Sequence, residues 1–218
     1  TRPSAAPPVR ATTSVATVAA APSCRTGRVR PLGSTRLAYV GVAAAGAVAY
    51  RTPGRGPVAR CGKVNVNGYP TMFGVVGKTV PASGRAAWYR VQLPIRPNGA
   101  TGWVRASALR IEAVRTRILV DLSQRRLTLY RSGKPLWSAA VAVGSSATPT
   151  PTGRYYVNQR LVPDDPNGPY GPAAIGISAF SPVLTGWVQG GPVAIHGTDE
   201  PWSIGQAVSN VCVRLPNA

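Results

Sequence analysis

Twenty-four glycines and twenty-two prolines, 46 residues in 218, break this chain into short pieces. A proline fixes φ and removes an N–H donor, and a glycine lets the backbone reverse without a steric penalty. The apolar runs between them are short, which predicts a mainly β protein rich in turns, with little helix. Apolar residues are 44% of the chain, enough for the core of one large domain or two small ones. No run of eighteen apolar residues occurs, so no transmembrane helix is predicted. The chain does not begin with Met and shows no secretory n-region and h-region. It reads as a mature or trimmed form whose targeting segment lies outside the sequence.

Charge divides the chain. Residues 1–110 carry sixteen Lys and Arg and no acid, whereas residues 111–218 carry nine bases and all six acids. The net charge is +19, and a basic front half is attracted to polyanions. Nucleic acid is one candidate and an anionic wall or membrane surface is another. Arg outnumbers Lys 22 to 3, beside much Ala and Pro, which points to GC-rich coding more than to guanidinium chemistry. No zinc-finger, homeodomain or RNP-type motif accompanies the charge, so nucleic acid is not the expected partner. The three cysteines divide into Cys24 and Cys61, which suit one disulfide in an oxidising compartment, and Cys212, which is left as the free thiol.

Residues 1–23 are Ala, Pro, Thr, Ser and Val with two arginines, and read as a disordered linker. Residues 24–112 alternate short apolar runs with turn signals, including Arg51-Thr52-Pro53-Gly54 and Asn98-Gly99, the latter a strong hairpin signal. Trp88-Tyr89-Arg90-Val91, followed by Gly102-Trp103-Val104 and Ala106-Ser107-Ala108-Leu109, resembles a bacterial SH3-like domain. That resemblance implies a small β barrel that binds wall or peptide. A spacer barrel with Trp88 and Trp103 in its core is the other reading, and both stay open. Arg117–Leu122, Arg126–Tyr130 and Pro135–Val143 then read as a three-stranded meander with partial alternation.

The chemistry concentrates at the end of the chain. His196 is the only histidine, and Cys212 follows it by sixteen positions. A thiol is a weak nucleophile until ionised, and an imidazole within hydrogen-bond reach takes its proton. Strands at Pro192–His196 and Asn210–Leu215, joined by a returning loop, would bring the two side chains together. The alternative from spacing alone is a strand-capping histidine and a small buried cysteine. Asp164 and Asp165 lie in Pro163-Asp164-Asp165-Pro166-Asn167-Gly168, which is turn chemistry, and no ligand cluster predicts a metal.

Ile195-His196-Gly197-Thr198, the middle Pro201-Trp202-Ser203-Ile204-Gly205, and Ser209, Cys212, Val213 and Arg214 resemble the signature of the L,D-transpeptidase (YkuD-type) catalytic domain. Thr150-Pro151-Thr152-Gly153 is similar to the family's T-P-x-G element. The resemblance covers residues 115–218 and implies a β-sandwich catalytic domain, expected here to be truncated at its C-terminus. It implies a cysteine acyltransferase that cross-links peptidoglycan stem peptides through a thioester, requires no cofactor, reacts with carbapenem β-lactams, and works outside the cytoplasm at the cell wall. By that likeness Cys212 is the nucleophile, His196 its base, and the Gly197 carbonyl the group that orients His196. Backbone N–H groups of Val211 and Cys212 would form the oxyanion site, and Ser209, Asn210 and Arg214 would contact substrate. The lid is expected from residues 160–186, with Tyr170, Phe180 and Trp187 as candidate lining.

Two positions depart from the family's S-H-G-C: Asn210 replaces His and Val211 replaces Gly. Glycine there allows φ > 0, which a β-branched residue resists. Asn210 keeps an N–H donor but does not titrate. The departures leave a second reading, a weak or inactive relative that binds wall peptides. A papain-like peptidase is excluded by order, since there the cysteine precedes the histidine.

Overall fold

The computed structural model describes residues 28–81 and 84–217. The linker read at residues 1–23 and the partner expected for Cys61, Cys24, lie outside the described residues. Eight strands form the first sheet: β1 (Arg28–Pro31), β2 (Ala38–Ala43), β3 (Ala47–Thr52), β4 (Arg55–Cys61), β5 (Met72–Val80), β6 (Trp88–Gln92), β7 (Thr101–Arg105) and β8 (Leu109–Val114). Their order is β4-β3-β7-β6-β5-β2-β8, with β1 also paired to β5. Side chains alternate faces along a strand, so register decides what is buried. Tyr89 lies opposite Val104, and Val91 opposite Gly102. That face joins Phe73, Val75, Val91, Leu93, Val104 and Leu109 in one core.

Trp88 and Trp103 are not in this core. Trp88 lies opposite Arg105 and Trp103 opposite Arg90, on the other face of β6 and β7. The reading that made the two tryptophans core residues is therefore corrected by register.

The second half begins with a meander of β9 (Thr116–Asp121), β10 (Arg126–Arg131) and β11 (Lys134–Ala140). There follow β12 (Val143–Gly144), β13 (Val157–Leu161), β14 (Ala174–Phe180), β15 (Pro192–His196), β16 (Ala207–Ser209) and β17 (Val213–Arg214). The sheet β13-β14-β15-β17 is antiparallel except for its last pair, β15 with β17, which is parallel. Strands β12 and β16 form a separate parallel pair. Leu127 of β10, with Ile118 and Val120 of β9, packs against Ile195 of β15 and Val213 of β17. Burial of such aliphatic side chains stabilises by roughly 1.5–3 kcal/mol each. The ends of β15 and β17 are thus set by the meander beneath them. Three short 3-10 turns are the helical content of the described residues, and none is long and apolar enough to cross a membrane.

Polar contacts join the halves. Asn98 donates from Nδ2 to the Phe180 carbonyl at 2.8 Å and accepts from the Phe180 N–H at 2.9 Å. One amide side chain thereby completes the end of β14 as a neighbouring strand would. Asn65 and Asn67 both donate to Gln159 Oε1 on β13, and Gln92 donates to the Arg154 carbonyl. Strands β13 and β14 are held by these contacts, and β14 in turn pairs with β15, which ends at His196.

Candidate active site

The site is built where two parallel strands end side by side. His196, the last residue of β15, lies opposite Arg214 of β17. Cys212 immediately precedes β17, and the amide of Ala194 on β15 approaches its Sγ at 3.5 Å. Sequence separation of sixteen is closed by the Gly197–Gln206 excursion, whose 3-10 turn Pro201–Ser203 returns the chain to β16. The Leu215 N–H bonds to the His196 carbonyl at 2.7 Å and ties the two ends together.

His196 is buried, 5% exposed. Its Nδ1 lies 2.5 Å from the Gly197 carbonyl oxygen. A carbonyl only accepts, so Nδ1 carries the proton and Nε2 is left as the basic nitrogen. The Tyr170 ring packs edge-on against the imidazole, with centroids 5.1 Å apart. Gly197 has no room for a side chain, because Asn217 and Pro172 press on the position a Cβ would take. Asn217 accepts from the Thr198 N–H and donates to the Thr198 carbonyl, both at 2.9 Å. The carbonyl that orients His196 is thereby anchored one residue downstream.

The turn before Cys212 is constrained from several sides. Val211 adopts φ +65°, and the Cys212 N–H bonds to the Asn210 carbonyl at 2.9 Å, closing a γ-turn. A β-branched residue is an outlier there. Its side chain is almost wholly buried and packs with Ala179 and Val193. Thr150 Oγ1 donates to the Val211 carbonyl at 2.8 Å and accepts from the Gly144 N–H at 2.8 Å. The Val211 N–H bonds to the Thr148 carbonyl at 3.2 Å. Packing and three hydrogen bonds hold the valine where glycine was expected to be needed.

Both N–H groups assigned by likeness to an oxyanion site therefore already have carbonyl partners, Thr148 for Val211 and Asn210 for Cys212. Ser209 is 1% exposed, and its hydroxyl donates to the Cys212 carbonyl at 2.5 Å, bracing the turn. Asn210 is exposed, with its Oδ1 at 3.4 Å from Thr148 Oγ1. Arg214 is mostly buried and forms an ion pair with Glu200. Phe180 lies under the Arg96 guanidinium and Trp187 is half exposed, so Tyr170 is the aromatic of the expected lid that reaches His196. A hollow of about 410 Å³ adjoins this centre, lined by Asn167, Thr198, Asp199, Pro201, Pro216 and Asn217. Asp165 caps its own turn by accepting from the Asn167 N–H.

Burial sets the proton positions. It pushes His196 below the ordinary imidazole range; the Gly197 carbonyl and Asp199 oppose this shift, and the Arg214 charge adds to it. Burial pushes the Cys212 thiol up, and the Ala194 N–H and Arg214 only partly offset that. Both directions disfavour the charged form of each group. This arrangement suits general-base attack, with the proton leaving sulfur as the new bond forms. The sequence marks Tyr170 as candidate lining and Thr150 as part of a motif, but their contacts with His196 and Val211, like that of Asn217 with Thr198, span 26, 61 and 19 positions and have no local signal.

His196, a buried imidazole of fixed tautomer, ends β15, and Cys212, whose Sγ meets the Ala194 N–H of that strand, precedes the parallel strand β17. Residues 115–218 match the family model of the L,D-transpeptidase catalytic domain, YkuD. The chain is 34% identical over 100 residues to a Bacillus subtilis protein named as an L,D-transpeptidase YkuD, covering 46% of this chain and 53% of that one. It is 35% identical over 101 residues to the protein of the same name from Bacillus licheniformis, with the same coverage. The chain thus spans about half the length of the curated relatives it matches.

Proposed function

We propose that the protein is a peptidoglycan L,D-transpeptidase that works outside the cytoplasm through a Cys212 thioester. The observation that carries this is the His196 tautomer: Nδ1–H is committed to the Gly197 carbonyl, so Nε2 is available to the thiol of the adjacent strand end. In the first half-reaction Nε2 takes the Cys212 proton as sulfur attacks the carbonyl of the third stem residue, a diamino acid. The tetrahedral intermediate collapses, the C–N bond to D-Ala breaks, and the imidazolium returns its proton to the leaving amine. In the second, the side-chain amine of an acceptor stem attacks the thioester. His196 takes the amine proton, the C–S bond breaks, and the thiol is restored.

Arg214 and Glu200 have a place in this cycle. The guanidinium is held by Glu200 near both reacting groups. It favours thiolate and disfavours imidazolium, so its two effects on a proton transfer from Cys212 to His196 oppose each other. The Cys212 N–H sits in a γ-turn, whose bent hydrogen bond is weak. A developing oxyanion is a stronger acceptor than the Asn210 carbonyl and would compete for that N–H.

A second reading, a wall-peptide binder without turnover, is favoured by one fact: both oxyanion amides are occupied in this state. Incubation with a stem tetrapeptide carrying a diamino acid at position three separates the readings. Release of D-Ala with a thioester mass on the protein, lost in Cys212→Ala, is expected of the enzyme. Peptide binding with no D-Ala released would establish the binder.

A further inference from the structure

The outer face of the first sheet is unused by the acyl-transfer reading. The register aligns Pro57, Tyr50, Trp103 and Arg90 across β4, β3, β7 and β6. The adjoining pair is Trp88 and Arg105. These side chains point away from the core of Phe73, Val91 and Val104. Trp88 and Trp103 are half-buried, and Arg90 and Arg105 are exposed.

The face is ordered before any ligand arrives. Arg105 lies over the Trp88 ring at 4.8 Å, and Tyr50 meets the same ring edge-on at 5.7 Å. Arg90 donates from Nε and Nη2 to Thr101 Oγ1 at 3.3 and 3.1 Å. A guanidinium held this way loses less side-chain freedom on binding an acid group. Exposed Arg55, the first residue of β4, lies opposite Thr52 and shares the face of Tyr50.

Charge selects the partner. Between Arg28 and Arg110 there are thirteen Lys and Arg and no acid. Among the described residues, neither ion pair includes Arg55, Arg90 or Arg105. Arg55, Arg90 and Arg105 thus share the face of two indoles without an ion-pair partner among the described residues.

We propose that this face binds an acidic polysaccharide, with sugar rings against Trp103 and Trp88 and carboxylates on Arg90 and Arg105. A guanidinium fork matches a carboxylate in two parallel hydrogen bonds. The rings are half-buried, and one side of Trp88 is already covered by Arg105, so a nucleic-acid base lacks a full indole face on which to stack. The site is independent of acyl transfer at Cys212 and would hold the protein on an acidic glycan.

The test measures equilibrium binding of the full chain, at about 150 mM salt, to polygalacturonate. Methyl-esterified polygalacturonate, polyphosphate and oligo-dT are the comparators. Polygalacturonate is expected to bind at least about tenfold more tightly than each of them. Arg105→Gln and Trp103→Ala should each weaken it about five- to tenfold, Trp103→Phe less, and Lys134→Gln not at all. Thermal melting identifies any variant that has lost its fold, and Trp103→Phe then stands in for Trp103→Ala. Carbapenem labelling of Cys212 in Trp103→Phe should match wild type, which keeps this result separate from the catalytic one. Three outcomes would overturn the proposal: equal binding to polyphosphate that is indifferent to Trp103, tighter binding to oligo-dT, or no polygalacturonate binding.

Discussion

Among the turns in which the backbone enters the left-handed region, two meet that requirement in opposite ways. The β6–β7 connection uses Gly99 at φ +82°, with open space where a Cβ would stand. The turn before Cys212 uses Val211 at φ +65°, with its side chain almost wholly buried. The first is a connector in which the cheapest residue for the conformation is present. The second is a site at which packing and hydrogen bonds enforce a conformation that the residue disfavours. A non-glycine residue held at positive φ costs roughly 1–3 kcal/mol and persists only when its surroundings over-determine it. Burial of a valine side chain offsets that by a similar amount, about 1.5–3 kcal/mol. Of the described non-glycine residues at positive φ, Arg125, Ser132, Gln189 and Val211, the β-branched one is the residue that precedes the nucleophile.

The largest expected effect is chemical. His196→Ala removes the base that this turn faces, and acylation of Cys212 should slow about 10²–10⁴-fold in a stopped mass assay. A loss below tenfold would separate the strained turn from catalysis. Next is the brace. Thr150→Val leaves the Val211 carbonyl and the Gly144 N–H without their hydroxyl partner, and denaturant unfolding should show a loss of about 1–3 kcal/mol. The acylation rate should fall with it, because the turn is freed.

Substitution at the two turns sharpens the comparison further. In ordinary positions Gly is less stable than Ala by about 0.5–1 kcal/mol. At position 211 the order should reverse: Val211→Gly should be more stable than Val211→Ala by about 1 kcal/mol, since both lose the side chain and only Gly relieves φ. Equal stabilities would mean that Val211 carries no strain. Gly99→Ala should cost about 1 kcal/mol from backbone alone, as its Cβ meets nothing, and should leave acylation unchanged.

The pH dependence follows from the site's burial. His196 titrates below its usual 6.5, so the acid limb of the acylation rate should lie below pH 6.5. A depressed folded-state value means that the unfolded chain binds the proton first. The His196 contribution to stability is then fully present above pH 6.5 and is lost as pH falls through the folded value. His196→Gln should remove that part of the melting-temperature profile. An acid limb at or above pH 6.5 would contradict the assigned proton positions.

Much of the layout was legible in the residues. Glycine and proline density marked a mainly β chain, and partial alternation marked the meander now seen as β9, β10 and β11. The His196 and Cys212 spacing pointed to two strand ends meeting. What the residues could not show depends on register or on distant contacts. Trp88 and Trp103 move between core and surface with a one-residue slip, and no local signal fixes that slip. Asn98 reads as a hairpin residue, yet its amide completes β14 across 82 positions. Val211 reads as a defect before the nucleophile; the partners that hold it, Thr148 and Thr150, lie some sixty residues upstream. Arg214 reads as a substrate contact, and its ion pair with Glu200, fourteen positions upstream, has no local signal.

The central claim is that Val211 strains the turn without disabling the thiol. Intact mass after carbapenem exposure tests it most directly, on wild type, Cys212→Ala and Val211→Gly together. The account predicts a single adduct on wild type and on Val211→Gly, and none on Cys212→Ala. An adduct on Val211→Gly alone would contradict it, showing that the valine has closed the oxyanion site and that this protein keeps the fold without the chemistry.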